Sequence, residues 1–216
     1  MLDHSIDPSL LSVGSSYLQA MRSAKRHLHS YCFNAAKDCE VFWPENTDQL
    51  SEFLHSNPTK TFSLMGAGNS FGDVFLPANH SVLDLTGLDR IIEFDESSQL
   101  IRLEGGVHVG ELQQFLLQRG YYLPSCSGSI NNTVAGDLSS NINGKDSWKM
   151  GHYARNVESL KMVDVSGQLH VVQSSDKEIF NALAGGLGLI GIIVELTLKV
   201  KPVVGSMLSV SRLKSK

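Results

Sequence analysis

The chain has few of the features that mark a secreted, membrane-spanning or nucleic-acid-binding protein. Its three cysteines, Cys32, Cys39 and Cys126, are an odd number without metal-ligand spacing. With no signal peptide ahead of them they read as free thiols in a reducing compartment, so a cytoplasmic protein that folds without disulfides is expected. Basic residues are not in excess: 18 Lys and Arg stand against 22 Asp and Glu. That balance, without a basic face, argues against nucleic acid as a partner. Long apolar runs are also missing. The longest, residues 188–198, is interrupted by Glu195 and Thr197 and is too short to cross a bilayer.

What remains is enough chain, 216 residues, for one large domain or two small lobes around a buried core. Residues 16–29 place Tyr17, Met21 and Leu28 at helical spacing with Arg22, Lys25 and Arg26 between them, which predicts a surface helix; peripheral membrane contact is the alternative. Beyond it the pattern is α+β. A short strand at 41–44 ends at Pro44, and a helix at 47–54 is capped by Asn46 or Thr47. Strands follow at 61–65 and 81–85. Residues 90–94 and 100–104 alternate across a four-to-five-residue turn and predict a hairpin, and Val109, Leu112, Phe115 and Leu116 predict a helix stopped by Gly120. A second hairpin spans 160–172 with its turn at Ser166 and Gly167, a helix lies near 177–183, and a strand at 193–200 sets Val194, Leu196, Leu198 and Val200 on one face.

Three segments carry chemistry. The first, Gly66, Ala67, Gly68, Asn69, Ser70, Phe71, Gly72 and Asp73, follows a strand; glycines let several backbone N–H groups turn toward one point and cradle phosphate oxygens without a basic side chain. Its spacing is not the three-glycine dinucleotide fingerprint, and Pro77 follows with no helix between, so a doubly wound NAD site is disfavoured; a Walker lysine is absent. Taken alone, the loop reads as an ordinary tight turn. The second segment, residues 124–145, is dense in small hydroxyl and amide side chains, with Val134, Leu138 and Ile142 at helical spacing to anchor it. The third, residues 184–193, leads glycines 185, 186, 188 and 191 into a buried strand, as needed where a flat ligand passes the main chain or where a strand bulges.

Three such segments in this order, and within them Thr133, Val134, Ala135, Gly136, then 141–145 and 185–193, resemble the FAD-binding domain of the vanillyl-alcohol oxidase/p-cresol methylhydroxylase (PCMH-type) family. Within it the chain is most similar to the sugar-oxidising groups, the aldonolactone and decaprenylphosphoryl-ribose oxidases. The resemblance implies an α+β fold of two lobes with FAD between them: a domain at 34–202, its lobes about 34–88 and 89–202, after a helical extension at 1–33 and before a tail at 203–216. It implies that Gly66, Ala67, Gly68, Asn69, Ser70, Gly72 and Asp73 wrap the pyrophosphate. Gly128, Ser129, Asn132, Thr133, Gly136, Ser140, Asn143 and Gly144 would line the flavin and ribityl side, and the backbone of Ile192 or Ile193 would touch the adenine end. Hydride transfer from a CH–OH carbon of a sugar, lactone or alcohol to flavin N5 is the implied reaction.

The chain departs from that family in three places. Members that bond the flavin covalently often have histidine where Asn69 stands, and an amide is no nucleophile, so non-covalent FAD is expected. Sugar-oxidising relatives tend to have histidine where Asn143 stands. The family's substrate-covering portion, which supplies the usual catalytic base, is not expected within these residues: it is a separate polypeptide, or the chain is truncated, or the protein is a stand-alone flavoprotein, and a second polypeptide or self-association is the expected partner. Lys145 and His152 are the polar groups nearest the implied flavin face, and both read first as ordinary surface or structural residues, as Asp73 and Asp137 read as holders of loop backbone. No metal site and no catalytic residue is assigned. Two other readings stay open: a flavin-binding module without catalysis of its own, and a binder of another nucleotide such as a UDP-sugar.

Overall fold

The computed structural model describes residues 21–205. Two sheets organise them. The first has strand order β1-β2-β4-β3, built from β1 (Arg22–His29), β2 (Ala36–Trp43), β3 (Ser63–Met65) and β4 (Ser81–Asp84). β1 runs antiparallel to β2, whereas β2 and β3 flank β4 in parallel. Parallel strands need a crossover, and α1 (Thr47–Ser56) lies in the one from β2 to β3, the strands on either side of β4. Asn46 caps α1, its side-chain oxygen accepting from Gln49 N at 2.8 Å, while Leu50 and Leu54 face inward.

The second sheet is antiparallel throughout, in the order β5-β6-β10-β8-β9: β5 (Ile91–Asp95), β6 (Leu100–Glu104), β8 (Val157–Val163), β9 (Leu169–Gln173) and β10 (Ile192–Lys199). Along β10 the predicted alternation holds from Leu196 onward: Leu196, Leu198 and Val200 pack in one core and Glu195 lies between Lys161 and Arg102, whereas Val194, at a register shift between Ile193 and Glu195, is buried in a separate cluster with Ile192. α2 (Val109–Leu117), α3 (Val134–Ser139) and α5 (Lys177–Leu183) bury Leu112, Leu116, Leu138, Phe180 and Leu183 against the inner face. A short ribbon pairs β7 (Tyr121–Tyr122) with β11 (Lys201–Pro202), and α4 (Ser147–Met150) is a single turn on the rim. A second core joins the sheets, because Phe42, Leu50, Leu54 and Leu83 pack in one cluster with Val163, Ile192 and Val194.

One expectation is overturned. The segment read as a helix at 16–29 is a strand over Arg22–His29, in eight-residue register with β2; residues 16–20 lie outside the described part. Edge strands carry few apolar residues, so three apolar side chains at helical spacing mimicked an amphipathic helix. In the sheet, Leu28 joins the Cys39, Val41 and Val82 cluster, and Arg22 lies 4.6 Å over the Trp43 ring. Smaller shifts have similar causes. β2 starts at Ala36 rather than 41 because Lys37, Asp38 and Glu40 hide its pattern, and β4 stops at Asp84, whose carboxylate caps the tight turn Leu85–Gly87 by accepting from Thr86 N at 3.0 Å.

Candidate functional site: a cleft between the glycine loop and the third helix

The glycine loop leaves β3 at Met65 and lies against the start of α3. Gly66 is the closest point: a β-carbon on it would overlap Thr133 Oγ1. Gly68 adopts a φ of +68°, in the left-handed region, and so turns the loop back without steric cost. The loop is pinned from outside by Tyr31, whose N–H donates to the Ser70 carbonyl at 3.0 Å and whose ring meets Phe71 edge-on.

The opposite wall is held by main-chain bonds. Val109 N donates to Asn132 O at 2.8 Å, Val134 N to Val107 O at 3.0 Å, and Ala135 N to Gly105 O at 3.0 Å. α3 then begins with Thr133 as its cap, Oγ1 accepting from Gly136 N at 3.2 Å. The third segment docks on the far end of α3 through Gly185 N to Leu138 O and Leu187 N to Ser139 O, both 3.0 Å. The three glycine-bearing segments therefore meet. A cleft of about 450 Å³ runs between the glycine loop and α3, and an inner recess of about 90 Å³ continues it toward Gly188, Gly191 and Ile193. That outer volume lies in the range of small-molecule sites.

Of the residues implied by resemblance, Gly66, Ala67, Gly68, Asn69, Ser70, Gly72, Asn132, Thr133, Gly136 and Ser140 line the cleft, and Ile193 lines the recess. Others lie outside both. Asp73 has an exposed side chain and closes a turn by its carbonyl, which accepts from Leu76 N. Gly128 and Asn143 are exposed, and the Ser129 hydroxyl accepts from Asn131 N at 3.2 Å. Gly144 packs on the Ser125 and Cys126 backbone, and Ile192 sits in the core shared by the two sheets. Lys145 and His152 are exposed and off the cleft. Leu64, Val74, Gly105, Ala135 and Leu187 also line these spaces and were not singled out as site residues by residue type. Gly105 left a signal, as half of a glycine pair after a predicted strand.

Among the described residues one ionisable side chain lines the cleft and recess, Asp137. It is fully buried, and burial raises its pKa against the pull of hydrogen bonds from Asn132 and Ser127. No lysine or arginine of the described residues lines either space, so an anion there would be met by backbone N–H groups and hydroxyls. Behind the loop, a shallower cleft of about 560 Å³ is lined by His27, His29 and His108, the last bonded through Nδ1 to Asn131 O at 2.8 Å. Beneath α3, burial pushes the Cys126 thiol up to about 12 and the Tyr153 phenol well above its usual value, which leaves neither ready as a nucleophile or base.

The cleft fits an extended dinucleotide in kind. A loop that only glycine allows so near Thr133 offers main-chain donors, hydroxyls of Ser70, Thr133 and Ser140 offer hydrogen bonds, and Leu64, Val74 and Leu187 offer apolar surface to a ring. Sequence comparison agrees. The family described as FAD binding domain matches residues 40–173. The decaprenylphosphoryl-beta-D-ribose oxidase of Mycolicibacterium smegmatis is 30% identical over 139 residues, covering 63% of this chain and 30% of that protein. The D-arabinono-1,4-lactone oxidase of Kluyveromyces lactis is 26% identical over 168 residues, 74% of this chain and 32% of its own length. The D-lactate dehydrogenase of Anaerostipes hadrus is 28% identical over 134 residues, 59% of this chain and 28% of its own. The chain thus spans about a third of the length of the curated relatives it matches. No helix among the described residues is long and apolar enough to cross a membrane.

Proposed function

The chain belongs to the FAD binding domain family, and on that premise we propose that it is the cofactor-holding part of an oxidoreductase acting on a CH–OH group of a sugar, lactone or alcohol. The observation that carries this is the meeting of three glycine-bearing segments around one cleft to which no described residue brings a cationic side chain. When bound, FAD supplies a ring that accepts hydride at N5. The chain's own residues hold and shield it. In this reading Gly66, Ala67, Gly68, Asn69, Ser70 and Gly72 face the pyrophosphate with main-chain donors, while Asn132, Thr133, Gly136 and Ser140 face the rest of the cofactor from α3. Ile193 closes the recess. Asn69 has no nucleophilic atom, so the cofactor is held without a covalent bond. The lobes about 34–88, extended by β1, and 89–202 form the two sides of the domain.

In this reading Asp137, the one ionisable side chain of the described residues on the cleft, is buried and engaged by Asn132 and Ser127, so the base and most of the substrate pocket come from outside the described residues, either from further chain, from a second polypeptide or from a second copy. The three unpaired cysteines support a cytoplasmic setting. The UDP-sugar reading has no support from the family match. The test is anaerobic addition of candidate sugars, lactones and secondary alcohols to the flavin-loaded protein, together with whatever partner co-purifies. Bleaching of flavin absorbance by a member of one class supports the oxidoreductase; flavin that no substrate bleaches, with or without partner, leaves a carrier module instead.

A further inference from the structure

The one ionisable group that the described residues bring to the cleft has a specific job in its geometry. Asp137 lies fully buried in α3, and both of its oxygens are engaged: Oδ1 accepts from Asn132 Nδ2 at 2.9 Å and Oδ2 from Ser127 N at 3.4 Å. An ionised carboxylate only accepts hydrogen bonds, whereas a carboxamide donates at one end and accepts at the other. Asp137 therefore decides which way the Asn132 amide faces. With its NH₂ group turned to Asp137, Asn132 presents its oxygen to the glycine loop, and Asn69 Nδ2 donates to that oxygen at 2.9 Å.

This contact spans the cleft. Asn69 sits between Gly68, with its left-handed backbone, and Ser70, whose carbonyl is pinned by Tyr31 from the far side. The Asn69 to Asn132 bond is thus the polar side-chain tie from the loop to the second wall, while Gly66 and Thr133 supply close packing without a hydrogen bond. Turning the Asn132 amide over would set two NH₂ groups face to face and break it.

We propose that Asp137 is a positioning residue: it fixes the Asn132 carboxamide, which through Asn69 latches the glycine loop against α3 and sets how tightly the cleft keeps a dinucleotide. The inference rests on the reading of the cleft as the FAD site. It takes Asp137 out of the chemistry and gives a buried charge, costly in an apolar setting, a reason to be there.

FAD affinity of single and double variants decides between a latch and independent contacts. Asp137→Ala and Asn69→Ala should each weaken FAD binding about tenfold, the scale of one lost hydrogen bond with an unpaired group left behind. The double variant should be no more than about threefold weaker than either, because one chain of bonds is lost only once. Asp137→Asn keeps an acceptor for Asn132 and should recover most of the loss. Losses that multiply in the double variant, or an Asp137→Ala protein that binds as the unaltered one does, would overturn the latch.

Amide hydrogen exchange on the FAD-free protein gives a reading that needs no cofactor. Residues 66–73 should exchange faster in Asn69→Ala and Asp137→Ala, while α5 stays unchanged; unaltered exchange in the loop would refute the latch. Should Asp137→Ala fail to fold, Asn69→Ala at the more exposed end still decides the matter by exchange. If the unaltered protein takes up no FAD, the reading of the cleft is what fails, and exchange alone judges the latch.

Discussion

Gly66 and Thr133 lie so close that a β-carbon on the glycine would occupy the space of the threonine hydroxyl. The same hydroxyl accepts from Gly136 N at 3.2 Å and starts α3, so the glycine loop and the helix share one atom as boundary. A Gly66→Ala change must push the loop away or uncap the helix. Either route costs about 1–3 kcal/mol of stability, as overpacking does in other proteins, and opens the cleft. The expected result is a lower melting temperature and FAD binding weakened by about tenfold or more, read by fluorescence titration.

The cysteines should differ sharply in reactivity. Cys32 is exposed, in the turn between β1 and β2, whereas Cys39 is in the core and Cys126 is held up to about 12 by burial, with Gln113 Nε2 donating to its sulfur at 2.9 Å. Only the thiolate reacts. A chromogenic disulfide reagent should titrate one thiol quickly in the native protein and three in denaturant. Fast labelling of Cys126 in the native state would contradict the placement of residues 124–126 against α2.

Two aspartates should move stability in opposite directions with pH. Burial raises the Asp137 pKa, so the folded state holds that proton more tightly than the unfolded chain; the contribution is unfavourable at neutral pH and is relieved as pH falls toward the ordinary carboxylate range. Asp95, held down to about 2 by hydrogen bonds from Ser97 and Ser98 in the first hairpin turn, behaves in reverse. Its contribution is present above the ordinary value and is lost as pH falls through about 2. Thermal unfolding of the FAD-free protein checks both. Asp137→Asn should melt higher than the parent at neutral pH, with the gap closing toward about pH 4. Asp95→Ala should melt lower at neutral pH, with its gap closing only in stronger acid.

Much of this architecture is legible in the residues, for local reasons. The strand at Leu100–Glu104 and the helix at Lys177–Leu183 follow from periodicity because each buries one face against a single core, whereas β10 divides its apolar side chains between two cores and keeps the simple alternation only from Leu196 onward. β1 was not legible, since an exposed edge strand rich in Arg, Lys and His has almost no buried face to print in sequence. At the cleft, the glycine loop and the start of α3 were readable from small residues clustered after a strand and before a helix. The inner recess was legible in part: glycines 188 and 191 and Ile193 belong to the third segment, but Gly105 and Ala135 reach it through pairings between segments far apart in the chain. Gly128, Asn143 and Gly144 share the composition of the cleft residues and yet lie outside it. Composition alone does not tell which side of a loop faces in.

Titration of the purified, flavin-stripped chain with FAD tests most directly the proposal that these segments together hold one FAD without a covalent bond. Saturation at one FAD per chain is expected, with flavin fluorescence changing on binding and all of the flavin released to the supernatant by acid precipitation. A chain that stays colourless at excess FAD, or flavin that remains with the precipitated protein, would contradict it.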